Sequence, residues 1–297
     1  MSNTFHSSNN FILKIDHLIE GKIIKRPSKI IKSPYVADIN FGEKENEILG
    51  HTASLGCCGL ADTGAIILMS KMHTKSEKTQ PKQKCEYRVY LSLFTDKERN
   101  KETIVGIHPK LAEDIVEQSL IKNYLTKLQN IKSYKRETTI FVEGKVDSRF
   151  DFSGIDENNI PFIMEVKNVP LADYEDISAN ERKKKNYPIS EFDFNSKVAY
   201  FPDGYRKKST DPVSPRALKH IQELTLIKKE SKTRCIMCYV IQRTDINRFT
   251  ISTLDSQYRE AVKKAIEVGV EIIPIVIEWT KNGESYFIRD DLPLVDL

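Results

Sequence analysis

The sequence predicts an α+β protein, with a small β-barrel or sandwich at the N-terminus and an α/β domain with a mixed sheet after it. Two observations predict this division. Several short strand-like segments, separated by loops rich in Gly, Ser, Pro, Asn and Lys, occupy roughly the first hundred residues, which show little helical periodicity. After Pro109, helical and strand-like periods alternate, as in a sheet that is covered by helices.

The composition fits a soluble protein with a sizeable core. The chain has 297 residues, of which 39% are hydrophobic and 30% charged, and its formal net charge is only +4. Its five cysteines are an odd number at irregular spacing, which does not fit a disulfide framework. The polar start lacks the order of a signal peptide, and no apolar run approaches the ~20 residues that span a bilayer. We therefore expect an intracellular soluble protein, cytoplasmic or nuclear, without a membrane partner.

Two domains are predicted, over residues 1–107 and 108–297, with about the first 10 residues disordered. Strands of the first domain are expected in FILKI, KII, YVADINF, GAIILMS and EYRVYLSLF. The second domain should begin with a helix at Pro109, because proline suits the first helical turn and acidic residues follow. A further helix is expected to begin at Ser214, and the last helix to end at Gly269.

The clearest functional signal is the segment SRFDFSGIDENNIPFIMEVKNV, which predicts two strands joined by a turn. Side chains alternate between the two faces of a strand, so Glu165 and Lys167 share one face, as do Arg149 and Asp151. A turn centred near Asn158 sets Asp151 opposite Glu165 and Arg149 opposite Lys167. Such cross-strand neighbours lie about 5 Å apart.

Two carboxylates and a lysine on one patch are suited to cutting phosphodiester bonds. Mg²⁺ or Mn²⁺ prefers carboxylate oxygens and bridges to phosphate, so Asp151 and Glu165 are the predicted metal ligands. Lys167 is then placed to position or deprotonate water, or to stabilise charge on the phosphate. Phe150 and Phe152 are expected to point together into the core behind this patch. The alternative is a plain surface ion pair between Glu165 and Lys167, against which the apolar flanks argue. The pattern D-(x)n-E-x-K is that of the PD-(D/E)XK nucleases.

Seven segments resemble, in the same order, the sugar fermentation stimulation protein A family. They are GKIIKRPSKII, GHTASLGCCGL, SRFDF, MEVKNVPL, YFPDG, PRALKHIQEL and VIQRTD, and the resemblance extends from about Gly21 to Ile273. It implies an OB-fold-like N-terminal domain and a restriction-endonuclease-like C-terminal domain, associated with DNA binding and nuclease activity. The chain departs from the family pattern by inserted segments within residues 172–213 and by Ala217 in place of the usual glycine.

The resemblance also assigns residues. SRFDF matches the family's SR-x-DF, EVKNV its EVK-x-V, FPDG its FPDA, and PRALKH resembles its ERG-x-KH. The first two matches give the metal ligands and the lysine already named, and the last places a lysine or a histidine near the scissile phosphate. The residues brought in are Asp151, Glu165, Lys167, Asp203, Arg216, Lys219 and His220.

The leading hypothesis is a nuclease that depends on Mg²⁺ or Mn²⁺ and acts on nucleic acid, with DNA preferred as the expected partner. The alternatives are a DNA-binding regulatory protein that keeps the nuclease fold without catalysis, and an adaptor that binds a protein through its inserts. A homodimer is left open. Basic residues expected to contact nucleic acid are Lys25, Arg26, Arg88, Arg149 and Arg216.

Other polar residues carry less weight. Cys235 and Cys238 lie three apart in a strand-like run and should face opposite ways as buried thiols rather than bind zinc. His51 is expected to be a loop or surface histidine. Glu113, Glu117, Glu137 and Glu143 are each candidates for a further carboxylate.

Overall fold

The protein is described by a computed structural model, in which barrel strands precede an α/β layer. The start of the chain up to residue 9 and Asp203, which the family resemblance brought in, lie outside the described residues. The structure describes residues 10–42, 46–53, 59–72, 85–96, 101–177, 181, 184, 197–202 and 211–297.

Seven strands form the first part of the described chain, and five of them close into a barrel. The neighbours run in the order β4-β3-β2-β5-β6, and β4 pairs back onto β6 in parallel, while β7 extends the sheet from β6. The sequence left a barrel and a sandwich as alternatives, and the structure has the barrel. The strands are β1 (Phe11–Lys14), β2 (Ile19–Lys25), β3 (Val36–Phe41), β4 (Asn46–Thr52), β5 (Ile66–Lys71), β6 (Tyr87–Asp96) and β7 (Lys101–Gly106).

The first strand corrects the predicted domain boundary. β1 does not join the barrel but pairs antiparallel with the last strand of the large sheet, so the prediction that residues 1–107 form one unit is wrong for Phe11–Lys14. The closing β4–β6 pair leaves little free edge in the barrel, whereas β1 covers an edge of the large sheet. Ile12 is buried there, and the Lys122 ammonium donates to the carbonyl oxygens of Phe11 (2.8 Å) and Ile12 (3.0 Å).

The second part of the chain forms a mixed sheet with helices on both faces, as predicted. Its strand order is β1-β16-β15-β13-β10-β9-β8, in which β10, β13 and β15 run parallel and the other pairs antiparallel. A small sheet of β11, β12 and β14 lies beside it. The elements are α1 (Lys110–Ile121), β8 (Ser133–Val142), β9 (Val146–Ile155), β10 (Pro161–Val169), β11 (Ala172–Asp173), β12 (Val198–Phe201), α2 (Pro215–Glu230), β13 (Arg234–Ile241), β14 (Arg248–Ile251), α3 (Ser256–Glu267), β15 (Glu271–Trp279) and β16 (Glu284–Arg289).

The predicted signals for helix ends lie at the observed ends of the helices. α1 begins after Pro109, and α2 has Ser214 as its N-cap with proline in the first turn. α3 ends before Gly269, whose φ of 91° suits glycine alone among ordinary residues. α1 ends at Ile121, after which Asn123 takes a φ of 55° and turns the chain away. Among the described helices, none has the length and apolar character that crossing a membrane requires.

Each face of the large sheet has its own core. One apolar cluster lies against α1 and includes Phe152, Met164 and Cys238; the other lies against α2 and α3 and includes Ile163 and Cys235. The two cysteines therefore face opposite ways, as the strand alternation predicts, and both are free thiols. Burial raises the pKa of Cys235 to about 12, so it is a poor metal ligand and nucleophile.

The barrel and the large sheet meet at a glycine. The Gly106 N–H donates to the Gln242 carbonyl (3.0 Å), and the Gln242 side chain accepts from the Trp279 indole (2.9 Å) and donates to Asn168 (2.7 Å). A Cβ at position 106 would lie 2.0 Å from Gln242 Oε1. Asn168 follows Lys167 on β10, so this junction ties the barrel to the strand that carries two candidate site residues.

Gly106→Ala is expected to destabilise the protein by about 2–3 kcal/mol, because the added methyl group must displace Gln242 and break its hydrogen bonds. Gly144→Ala is the matched control: its φ of 69° makes alanine strained, but no atom lies within 4 Å of the new Cβ. That control should lose only about 1 kcal/mol. Urea unfolding measures both, and equal losses in the two variants would show that the junction is loosely packed.

Candidate metal centre

The β9–β10 hairpin has the predicted register. The turn is closed by the Asp156 N–H, which donates to the Ile160 carbonyl (3.0 Å). The strands pair from Pro161 opposite Ile155 to Met164 opposite Phe152, the register that a turn centred near residue 158 gives. Pairing stops there, one position before the two predicted acidic partners.

Asp151 lies where the two strands separate. Its Oδ2 accepts a hydrogen bond from the Val166 N–H at 2.7 Å, so the side chain takes the place that a backbone carbonyl has in the ladder. On the other side, β8 and β9 pair on both sides of Asp151 but not at it, and the β8 residue at that level, Glu137, has a φ of 53°. The hydrogen bond from Val166 holds the Asp151 carboxylate beside β10, where the Glu165 carboxylate acts on it electrostatically.

The same irregularity overturns one prediction. Phe150 and Phe152 were expected to point the same way, but Phe152 packs on the α1 face and Phe150 on the α2 face. The Phe150 ring lies 5.7 Å from that of His220 on α2. Simple alternation fails because β9 pairs with β10 only from Phe152 onwards and the β8–β9 ladder is interrupted at Asp151.

Glu165 and Lys167 share a face of β10 as predicted, and the Lys167 ammonium donates to Glu165 Oε1. The side chain of Lys167 is 12% exposed and that of Glu165 only 2%, so the surface ion pair considered above does not describe them. His220 Nδ1 contacts the same Glu165 oxygen from α2. Glu165 Oε2 is buried and has no hydrogen-bond partner among the described residues.

The pKa values of the two carboxyl groups are shifted in opposite directions. Burial raises the pKa of Asp151 to about 7; the Glu165 carboxylate adds to the rise, and the Val166 N–H and Lys167 oppose it. Burial acts to raise the pKa of Glu165 as well, but Lys167 and His220 outweigh it and leave this pKa below its usual value. Near neutral pH, and without a metal ion, Glu165 is therefore ionised and Asp151 beside it is partly protonated.

Helix α2 contributes unequally to this site. His220 is buried against Glu165, and Glu223 is buried with its Oε1 accepting from the Asp147 N–H at 2.9 Å. Lys219 donates to the Asp147 carbonyl and lies 3.7 Å from Glu223, so its ammonium is tied to the start of β9. Arg216 is exposed on the first turn.

The other predicted basic residues are dispersed. Arg149 is exposed, and its guanidinium lies 3.5 Å from the Glu137 carboxylate. Arg26 donates to the carbonyls of Pro34 (2.8 Å) and Ala61 (3.0 Å), which braces the loop after β2. The remaining two lie on the barrel, Lys25 exposed at the end of β2 and Arg88 half-buried on β6.

Further carboxylates near the hairpin are already paired. Glu113, Asp114 and Glu117 of α1 all accept from the Arg136 guanidinium, at 3.0, 3.1 and 2.7 Å. Glu113 still adds to the rise in the pKa of Asp151, so α1 borders the site. Within the described ranges, no three His, Cys, Asp or Glu side chains are arranged to hold a metal ion. Asp203, the remaining carboxylate that the resemblance brought in, falls among residues the structure does not describe.

Comparison with known proteins places the hairpin and helices in a family. The family model for the Sugar fermentation stimulation protein RE domain matches residues 110–179 and 185–283, more than half of the chain. The chain belongs to the sugar fermentation stimulation protein family. The resemblance read from the sequence is therefore confirmed. The matched residues contain Asp151, Glu165 and Lys167, whereas the barrel precedes them.

Similarity to members of the sugar fermentation stimulation family extends over nearly the whole chain. The homolog of Crocosphaera subtropica is 28% identical over 288 residues, 96% of this chain and 99% of that protein. The homolog of Trichormus variabilis is 26% identical over 271 residues, 91% of this chain and 92% of that protein. A solved structure, described as Pyrococcus furiosus SfsA in complex with Ca²⁺, has a TM-score of 0.70 and 18% identity over 96% of this chain and 99% of its own. The chain shares its overall fold.

Proposed function

We propose that the protein is a divalent-metal-dependent nuclease that hydrolyses phosphodiester bonds of nucleic acid, with DNA as the preferred substrate. One observation carries the proposal. Glu165 is ionised and buried, with one oxygen held by Lys167 and His220 and the other, Oε2, without a partner among the described residues. A buried carboxylate oxygen left without a donor is costly unless a cation or another ligand binds it.

The donor set fits Mg²⁺ or Mn²⁺. Asp151 and Glu165 offer carboxylate oxygens, which hard cations prefer. Bound there, a divalent ion would polarise the scissile phosphate and lower the pKa of a coordinated water. The Pyrococcus furiosus relative is described as a complex with Ca²⁺, a cation with the same preference for oxygen, which supports this donor set.

The protein residues then have separable roles. Lys167 places a positive charge beside the carboxylates, where it stabilises charge that develops on the phosphate or orients the attacking water. His220 positions Glu165 through its Nδ1 contact with Oε1, which leaves Oε2 for the metal ion. Phe150 packs on the His220 ring and limits its movement. Lys219 is assigned a supporting place at the start of β9 rather than a contact with phosphate.

The barrel and the large sheet would have different functions. We infer that the barrel is an OB fold, in which a five-stranded Greek-key barrel binds strands of nucleic acid through one face and its loops. The loop after β2, braced by Arg26 and flanked by Lys25, is one such loop. The sheet with α1, α2 and α3 is inferred to be restriction-endonuclease-like, which agrees with the acidic pair on a hairpin in its centre.

The second candidate is a DNA-binding regulatory protein without catalysis. The pairing of Glu113, Asp114 and Glu117 with Arg136 favours it, because α1 then offers no ready third carboxylate to a metal ion. The orphaned Glu165 oxygen and the presence of Lys167 favour the enzyme.

A cleavage assay on single- and double-stranded DNA and RNA distinguishes these candidates. We expect cleavage with Mg²⁺ or Mn²⁺ and none with EDTA, because the acidic pair needs a counter-ion before a phosphate approaches. Binding to the same nucleic acids should persist in EDTA, since it depends on basic residues. Binding without cleavage under every metal condition would reject the enzyme in favour of the regulatory protein.

A further inference from the structure

Three buried nitrogens on the outer side of the barrel are not part of the candidate metal centre. They are Nε of Arg88, Nδ1 of His51 and Nδ1 of His108, and none has a hydrogen-bond partner among the described residues. The whole His108 side chain is buried, at 7% exposure. Buried polar atoms are nearly always hydrogen-bonded, so three together indicate a missing partner.

The three side chains lie next to one another. His51 on β4 is the direct parallel partner of Arg88 on β6, which places both on one side of the barrel wall. The His108 N–H donates to the Tyr90 carbonyl on β6 (3.3 Å), and the His108 ring lies 5.1 Å from the Tyr90 ring. The prediction that His51 is a loop or surface histidine is therefore wrong; it lies half-buried within a strand.

Their electrostatic coupling shows the same proximity. Burial lowers the pKa of His51, and Arg88 lowers it further. Burial lowers the pKa of His108 to about 4, with smaller contributions from Arg88, His51 and Lys110. The group therefore carries a fixed positive charge beside two imidazoles. That field repels a metal cation and favours an anion.

His108 connects the group to the candidate metal centre, and Arg88 borders a second cavity. His108 lines a cavity of about 640 Å³ together with Ala53, Lys110, Glu113 and Glu137, whereas Arg88 lines one of about 440 Å³. Glu113 acts electrostatically on Asp151, and Glu137 stands at the level of Asp151 on β8. α1 also begins at this cavity, and its N-terminus adds partial positive charge.

We propose that His51, Arg88 and His108 form a phosphate-binding pocket, which holds a backbone phosphate of the strand whose scissile bond lies at Asp151 and Glu165. Arg88 Nε–H always donates, and either imidazole donates from Nδ1 when the proton sits there. A phosphate oxygen supplies the acceptors that all three lack. The pocket itself stands without cleavage; only the assignment of its phosphate to a substrate strand rests on the proposed nuclease function.

The test uses the full chain in EDTA, where cleavage does not interfere. Affinity for a fluorescent single-stranded DNA oligonucleotide is measured at one fixed salt concentration for the wild type, Arg88→Gln and His51→Gln. We expect Arg88→Gln to weaken binding by about tenfold or more, because it removes a charge-assisted contact. Arg289→Gln is the matched control, since it removes the same charge from β16, where Arg289 pairs with Asp291. It should weaken binding by less than about threefold.

A second measurement localises the pocket and separates the two sources of phosphate. Inorganic phosphate is titrated into the protein while the imidazole resonances of His51 and His108 are followed by NMR, and saturable shifts of both are expected in the wild type but not in Arg88→Gln. Thermal unfolding checks that each variant is folded, and His51→Gln serves if Arg88→Gln is not. Shifts with phosphate but equal oligonucleotide affinity in Arg88→Gln and Arg289→Gln would overturn the strand assignment in favour of a small phosphorylated ligand. No shifts and no difference in affinity would overturn the pocket.

These outcomes are independent of catalysis. Wild-type protein that fails to cleave any nucleic acid with metal, but shows both expected effects in EDTA, would reject the proposed nuclease and leave the pocket supported. Cleavage with metal, without an effect of Arg88→Gln on either measurement, would reject the pocket and leave the nuclease supported.

Discussion

Asp151→Asn is expected to abolish metal-dependent cleavage, by at least about 100-fold, while nucleic-acid binding persists. Asparagine keeps the shape of the side chain, and its carbonyl oxygen can still accept from the Val166 N–H, as Asp151 Oδ2 does at 2.7 Å. The negative charge that a divalent ion needs is gone. Binding to nucleic acid depends on Lys and Arg contacts to phosphate, and removing one negative charge can tighten it.

The same substitution should stabilise the metal-free protein. Because the folded-state pKa of Asp151 is raised from 3.8 to about 7, the folded protein holds a proton there that the unfolded chain has lost. Its stability therefore falls as the pH rises from about 4 to about 7, and the penalty is fully present above that range. In EDTA near pH 8, Asp151→Asn should gain about 1–2 kcal/mol after allowance for partial exposure.

Asp147→Asn is the matched control, because it makes the same change at an exposed position on the same strand. It should leave cleavage and stability close to those of the wild type. Thermal unfolding with EDTA and with Mn²⁺ measures the two effects together, since a bound ion stabilises only a protein that keeps its ligands. Cleavage by Asp151→Asn at the wild-type rate would remove Asp151 from the site.

The hairpin could be predicted because local rules govern it. The turn segment fixes the register, and strand alternation puts Glu165 and Lys167 on one face, and both features are present in the structure. The interruption of strand pairing at Asp151 could not be predicted in this way. It depends on the left-handed φ of Glu137, which lies on a neighbouring strand and carries no glycine signal.

The contacts that complete the site are distant in sequence. His220 contacts Glu165 across 55 positions of the sequence, and no local pattern relates a residue of α2 to one of β10. The resemblance to the family brought His220 into consideration, but not its role as the partner of Glu165. The contact instead follows from packing α2 on the sheet, which buries His220 and Glu223.

Long-range pairing also explains the errors in architecture. β1 looks like any barrel strand in sequence, and only the free edge at β16 decides where it pairs. The short strands β11, β12 and β14 have two to four residues each, too few for a periodic signal. His108 sits at the predicted domain boundary, and its burial arises from the packing of the barrel on α1, which no local pattern shows.

The buried acidic groups of this site lower the stability of the protein but prepare the site to bind a cation. Glu165 is held ionised by Lys167 and His220, which keeps one oxygen ready for a cation, and Asp151 is partly buried beside it at a cost to folding. A site built for stability alone would pair or neutralise both groups. The arrangement makes sense if binding of a cation returns the lost free energy, which links metal occupancy to the stability of the whole sheet.

Lys167→Ala is expected to stop cleavage, by about 100- to 1,000-fold, and to leave metal binding nearly intact at alkaline pH. The lysine opposes the effect of burial on Glu165, so its loss raises the pKa of that carboxyl. Protons then compete with metal up to a higher pH, and the affinity for Mn²⁺ should weaken at about pH 6 but recover at about pH 8.

Lys167→Arg separates the two roles of this lysine. The guanidinium keeps the positive charge that holds Glu165 ionised, so Mn²⁺ affinity at about pH 6 should stay near that of the wild type. It does not reproduce the position of a compact ammonium, so cleavage should remain at least about tenfold low. Lys145→Ala, which removes an exposed lysine paired with Glu230, is the control and should change neither quantity. Calorimetric titration of Mn²⁺ at both pH values, beside the cleavage assay, measures the set. If Lys167→Ala binds Mn²⁺ and cleaves like the wild type at both pH values, Lys167 has neither role.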